Sequence, residues 1–260
     1  MQKEVPTNRA DKSNKPGIRF SLRSLIVLVG LLSIVSAIVM GSYHRYTRAS
    51  SIAAVVKSYG GDSDSEDVDC LASDLLVRFG FEPLKSITRV DFLGDKKNID
   101  DHGLEIISNA SDIETLIVYG NQFSESGLLH LHKLKKLKKV NLAGPQVTDA
   151  VILGIQKDHL TSFYAYGTSI TDKGCASLVE ATKMTHLYLG KSKITDESCR
   201  SIGKMNSLTY IEIGKNAITD EGVPYLYSLD KLETVDLVGT KVTKEAKKKL
   251  EQQIPGVVVD

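Results

Sequence analysis

From Ile87 onward one short pattern returns seven times, and this period constrains the fold more than any other feature of the 260 residues. Units start at Ile87, Ile113, Leu137, Leu160, Met184, Leu208 and Leu232, with a partial last one at Ile254. Successive starts lie 26, 24, 23, 24, 24, 24 and 22 residues apart. A unit this short cannot hide its own apolar side from water, so neighbours must stack and share one interior. Each unit opens with apolar residues at its first, fourth and sixth places, as in Met184, Leu187 and Leu189. The last two are two residues apart and share one face of a strand. A turn follows, then an apolar return: Phe123, Val147, Ile170, Ile194, Ile218 and Val242 in successive units. Next come apolar residues three apart, such as Leu128 and Leu131 or Cys199 and Ile202, which is helical spacing. Each unit is therefore predicted to be strand, turn, helix.

The motif LxxLxLxxNxI stands here as LTYIEIGKNAI, Leu208 to Ile218, followed by a Thr-Asp step. On these residues the segment 87–260 resembles the leucine-rich repeat family. The ITDxG step resembles its cysteine-containing subclass, known from F-box proteins and from bacterial membrane-anchored repeat proteins. The resemblance implies an α/β solenoid with parallel strands on a concave face and helices on a convex one. The asparagine slot of the motif holds Asn121 and Asn216, but Pro145, Thr168, Ser192 and Thr240 elsewhere. A hydroxyl can still donate to a turn carbonyl, whereas Pro145 has no N–H and predicts a weaker coil. Ala246 and Lys247 replace the apolar helical slots of the last full unit, giving the polar outer face a terminal repeat needs. Val257 and Val259, at strand spacing, are expected to cover the final edge.

Ahead of the repeats, residues 24–43 form a twenty-residue run without charge, SLIVLVGLLSIVSAIVMGSY. As a helix it would span roughly 30 Å, the thickness of a bilayer core. A cleaved signal peptide would have a shorter apolar stretch and a clear small-x-small site, so the run reads as an uncleaved anchor. Six Lys or Arg lie in residues 1–23, a polar tail expected to be disordered. That excess predicts a cytoplasmic N-terminus and a repeat domain in the periplasm, a lumen or the exterior. Residues 44–50 read as a linker and 51–86 as a helical cap. In the cap, SIAAVVKSY should stop at Gly60-Gly61, residues 62–69 form an acidic loop, and Cys70 to Phe81 form a second helix.

Local signatures of catalysis are lacking. The six histidines fall in no HExxH arrangement, and neither GxSxG nor a phosphate-cradling loop occurs. No enzyme activity, cofactor or metal is expected. Asp100, Asp149, Asp172, Asp196 and Asp220 recur as a possible carboxylate ladder, but each precedes a helix, where capping explains it. Cys175 and Cys199 occupy the buried helical slot of adjacent units and read as apolar thiols. A net charge of +1 gives no field that would attract nucleic acid.

The third, fifth and seventh strand places should face solvent. Those slots place Tyr164, His186, Tyr188 and Tyr210 in three consecutive units, with Tyr166 at the edge and Tyr119 further off. Strands lie roughly 4.8 Å apart, so the first four should form one aromatic patch. Tyrosine combines large area with few rotors and is common at interfaces, although it also suits exposed strands. The expected function is protein or peptide binding on the concave face of a membrane-anchored repeat protein. Two alternatives are a substrate-recognition subunit of a ubiquitin-ligase-like complex and a structural envelope protein without a specific partner.

Overall fold

The computed structural model describes residues 22–67, 85–92, 99–120 and 122–260. The chain divides into two units, Met1–Gly41 and Ser42–Asp260. Helix α1, Leu22–Ser58, begins in the first. Its apolar side chains Ile26, Val27, Val29, Leu31, Ile34 and Met40 are between 55% and 63% exposed. Among the described residues no helix is long and apolar enough to cross a membrane, so the expected span is not shown. Of the expected disordered tail, residues 1–21 lie outside the described residues.

In the second unit α1 continues without a break through residues 44–50, where a linker was expected. No Gly or Pro stands between Ser42 and Tyr59, so nothing there interrupts helical hydrogen bonding. The helix stops where the glycine pair predicts. Gly60 adopts φ 74, and the N–H groups of Gly60 and Gly61 close on the carbonyls of Lys57 and Val56. A Cβ on Gly61 would lie 2.5 Å from the Phe92 ring, so glycine also permits the close approach. Ile52 and Val56 are buried against the first coil, and the Tyr59 hydroxyl donates to Asp100 at 2.7 Å.

The acidic segment expected as a loop is instead strand β1, Asp62–Asp67, antiparallel to β2, Lys85–Phe92. Pairing overrides the low strand propensity of aspartate, with Arg89 opposite Asp64 and its Nε 3.6 Å from that carboxylate. A row of charges also suits a sheet edge, because it discourages pairing with another chain. The expected helix over Cys70 to Phe81, and Asn121, lie outside the described residues.

Strands β3 (Thr115–Val118), β4 (Lys139–Ala143), β5 (Ser162–Tyr166), β6 (His186–Tyr188), β7 (Tyr210–Glu212), β8 (Thr234–Asp236) and β9 (Val258–Val259) follow β2. All are parallel, in strict chain order, within one nine-stranded sheet. Each returns through α2 (Asp101–Ile107), α3 (Glu125–Leu129), α4 (Asp149–Gly154), α5 (Asp172–Ser177), α6 (Asp196–Ile202) or α7 (Lys244–Gln253). The coil of Leu208 is the exception, using a 3₁₀ turn, Val223–Leu226, in which Pro224 stands in the first turn. The first, fourth and sixth strand residues and the helical slots line a continuous core; Met184, Leu187, Leu189, Cys199 and Leu208 have no exposed surface. Each such leucine contributes about 1.5–3 kcal/mol through its removal from water.

The Thr-Asp step works differently from simple capping. Asp100 does cap its own helix, accepting from the Gly103 N–H. Asp149, Asp172 and Asp196 instead begin their helices, whose N-cap residues are Thr148, Thr171 and Thr195. Asp149 accepts both the N–H and the hydroxyl of Thr171 in the next coil, at 2.8 and 2.6 Å. Asp172 repeats this with Thr195, Asp196 with Thr219, Asp220 with Thr243, and Asp101 with Ser124. Glu125 reaches the Thr148 hydroxyl. The carboxylates therefore tie each coil to its successor. Among the described residues no group of three or more His, Cys, Asp or Glu side chains could hold a metal ion.

A second periodic constraint sits at the eighth place of each coil, where the backbone enters the left-handed region. Gly120, Gly144, Gly167 and Gly239 take it without strain, whereas Lys191 (φ 52) and Lys215 (φ 57) do so with a side chain. The asparagine slot is used as the motif requires. Asn216 is buried; its amide donates to the carbonyls of Leu189, Ile213 and Gly214, and its oxygen accepts from the Ser192 N–H. Thr168, Ser192 and Thr240 donate to turn carbonyls in the same slot. Beside Pro145, the Gln146 amide reaches the Gly120 carbonyl instead, at 3.0 Å.

Candidate interaction face

Register decides which side chains meet on the outward face of the sheet. Ser162, His186, Tyr210 and Thr234 are successive partners in the third-place row. Asn141, Tyr164, Tyr188, Glu212 and Asp236 form the fifth-place row. Tyr164 and Tyr188 therefore stand side by side, and their rings stack at 4.2 Å with a 21° tilt. The Tyr188 ring also stacks on Tyr210 across the diagonal, at 4.7 Å and 22°. His186 lies parallel to Tyr210 at 6.1 Å, its Nδ1 2.9 Å from the Thr185 hydroxyl. The Tyr188–Tyr210 separation lies within the 4.5–7 Å over which aromatic pairs attract beyond their buried area. The three tyrosines form one column with Tyr188 in the middle.

Burial pushes the Tyr188 hydroxyl well above the ordinary tyrosine range, helped by the neighbouring hydroxyls of Tyr164 and Tyr210. Burial also raises Tyr210, and the carboxylates of Asp236, Glu212 and Asp260 add to the effect. Tyr188 and Tyr210 thus present neutral, polar-tipped rings at physiological pH.

The other two candidate tyrosines lie outside the stack itself. Tyr166 is 44% exposed at the rim, where Lys215 donates to its hydroxyl at 3.0 Å and lies 5.6 Å over its ring. Tyr119 is half-buried two coils away, hydrogen-bonded to Asn141; burial first, then the nearby charge of Asp91, raises its hydroxyl.

The same face ends in a row of acids not expected from the sequence. Glu212 follows Tyr188 in the fifth-place row, Asp236 follows Glu212, and Asp260 lies beyond Asp236, its carbonyl accepting from the Leu237 N–H. Gly190 makes room for Glu212, whose carboxylate fills the space a Cβ there would occupy, and Gly214 makes room for the Val238 carbonyl. The Glu212 carboxylate accepts the N–H groups of both glycines, yet burial and the charge of Asp236 together raise its pKa. The signal was present in the letters, as glycine at the seventh place of two adjacent coils beside acids at the fifth.

The parallel strands and returning helices stack as a solenoid, and residues 204–226 match the family model described as Leucine Rich repeat. No curated protein matches the sequence. Among solved structures, the fold is similar to internalin C2 from Listeria monocytogenes, with a TM-score of 0.50 and 20% identity. That match covers 74% of this chain and 82% of the internalin. It is also similar to internalin F from the same organism, with a TM-score of 0.45 and 17% identity over 60% of this chain. Here the chain spans about half of the internalin's length, 49%. A leucine-rich-repeat protein of Leptospira interrogans gives a TM-score of 0.41 and 15% identity, over 60% of this chain and 45% of that one.

Proposed function

We propose that this chain is a membrane-anchored leucine-rich-repeat protein that binds a protein or peptide on the outward face of its sheet. The observation carrying this reading is the stacked column of Tyr164, Tyr188 and Tyr210. It presents contiguous aromatic area held rigid by strand register, so little side-chain entropy is lost on binding. The anchor rests on the uncharged run of residues 24–43 and on the exposed apolar side chains of that helix. Ser33 folds its hydroxyl back on the Val29 carbonyl at 2.8 Å, which satisfies a polar atom inside the helix. Basic residues before the run favour a cytoplasmic N-terminus and a repeat domain on the far side. The paired helical cysteines, Cys175 and Cys199, are buried and free, in keeping with the cysteine-containing subclass.

The test is a triple substitution, Y164A/Y188A/Y210A, in the full chain. Partners captured from native membranes should be lost while circular dichroism remains unchanged. Unchanged capture with an intact fold would rule out this face as the site. Reporter fusions at each end should place the repeats outside the cytoplasm, and a cytoplasmic C-terminus would overturn the topology.

A further inference from the structure

The two ends of the sheet treat their carboxylates differently. Towards the N-terminal end, Asp64 and Asp91 face Arg89 at 3.6 and 2.7 Å. Asp112 faces Lys136 at 2.6 Å, and Glu114 faces Lys138 at 2.7 Å. Towards the other end, Glu212, Asp236 and Asp260 occupy the fifth-place row on three consecutive strands or their extension. Among the described residues none of these three carboxylates is in a salt bridge.

Two cations stand nearby, and neither closes a salt bridge with the row, although the Lys215 charge partly offsets those of Glu212 and Asp236. The Lys215 amine donates to the Tyr166 hydroxyl, and the Lys247 amine donates to the Asp260 backbone carbonyl at 2.8 Å. Partial compensation comes from backbone donors, Gly190 and Gly214 to Glu212 and Val238 to Asp236. These are dipoles and do not cancel the like-charge repulsion between neighbouring acids. Tyr188 is stacked between Tyr164 and Tyr210, so Tyr210 ends the column, and its π surface, beside this row, attracts cations.

We infer that this end of the face receives an arginine- or lysine-bearing segment of a protein partner, its cation lying between the Tyr210 ring and the carboxylates of Glu212, Asp236 and Asp260. The inference rests on the binding face proposed above and specifies the chemistry of its partner. Charge complementarity selects this occupant. An acidic segment would add a fourth negative group, and a purely apolar one would desolvate three carboxylates with no counter-charge.

The experiment uses the full chain in uncharged detergent, with ring-labelled tyrosine observed by NMR and assigned by single Tyr→Phe changes. The probe is the peptide acetyl-Gly-Arg-Gly-Arg-Gly-amide; its Gln counterpart is the control. The arginine peptide should shift the Tyr210 resonances saturably, and the Gln peptide should not. The isosteric double variant E212Q/D236N should weaken binding by roughly fivefold or more, and raised salt should act in the same direction. Equal binding of both peptides, an unchanged Kd in E212Q/D236N, or no saturable shift would overturn the inference. If E212Q/D236N still captures the native partner while the tyrosine triple variant loses it, the face binds its partner without a cation. That outcome removes this inference and leaves the proposed face standing.

Discussion

The coil-to-coil clamp at Asp172 allows the sharpest test of how the solenoid is held together. This carboxylate accepts the N–H and hydroxyl of Thr195, at 2.8 Å each, and both the N–H and hydroxyl of Ser198. Replacing Asp172 with Ala leaves three donors without an acceptor. The Ser198 N–H keeps the Thr195 carbonyl at 3.0 Å. Ser198 is fully buried, so its hydroxyl finds no water. A stranded buried donor costs about 1–3 kcal/mol, and half-buried Thr195 recovers part of its loss from solvent. The net cost is about 2–3 kcal/mol for Asp172→Ala. Asp172→Asn keeps one oxygen for three of the four bonds, so it should cost about 1 kcal/mol, mainly the lost charge. Asp220 makes the same pair of bonds at an exposed site, and D220A should cost markedly less than D172A. Urea unfolding of the full chain, followed by far-UV circular dichroism, measures all three. Burial alone would raise Asp172, but hydrogen bonds from Ser198 and Thr195 outweigh it and hold the pKa below the ordinary 3.8. A depressed carboxylate stabilises the fold fully above its unfolded value and loses that contribution as pH falls through the folded one. The gap between wild type and D172N should therefore shrink as pH drops below about 4. If D172A costs under about 1 kcal/mol, or D172N costs as much as D172A, the clamp is not what joins these coils.

Lys191→Gly should stabilise by about 0.5 kcal/mol in the same urea assay, because relief of the left-handed strain slightly exceeds the entropy glycine adds to the unfolded chain. Lys191→Val should do the opposite. Burial pushes the Cys175 and Cys199 thiols up to about 12, so in a C70S background neither should react with a thiol reagent at pH 8 until the chain unfolds. Spectrophotometric titration of the tyrosines should find Tyr188 still protonated when exposed tyrosines have ionised, so Y188F should leave the early-ionising fraction unchanged. Early loss of one titrating ring in Y188F would refute the burial assigned to it.

Most of the architecture could be read from period and polarity, because each coil repeats one strand and one inward return. Leu187, Leu189, Ile194 and Cys199 all lie where their spacing puts them, with no exposed surface. The stacking of Tyr164 on Tyr188 was legible for the same reason, since parallel register turns equal slots into neighbours. What spacing could not convey was partnership between coils. Asp149 looks like a cap when its own helix is considered alone, and only the neighbouring coil reveals Thr171 as its partner. Strand β1 was hidden because six polar residues carry no apolar alternation, and its pairing with β2 is tertiary. The acidic end of the face escaped attention because Glu212 and Asp236 look like ordinary solvated charges until Gly190 and the adjacent rings are placed beside them.

The clamps between coils carry a consequence for how such a chain can change length. Four successive joints pair an aspartate of one coil with a threonine of the next: Asp149 with Thr171, Asp172 with Thr195, Asp196 with Thr219 and Asp220 with Thr243. Excising residues 172–195 would join Thr171 to Asp196, keeping Asp149 clasped to Thr171 and Asp196 clasped to Thr219. The seam would be chemically indistinguishable from those on either side, while Tyr164 would acquire Glu212 as its new lateral neighbour. Loss or duplication of whole periods among these coils thus redraws the recognition surface while the aspartate–threonine joints keep their chemistry.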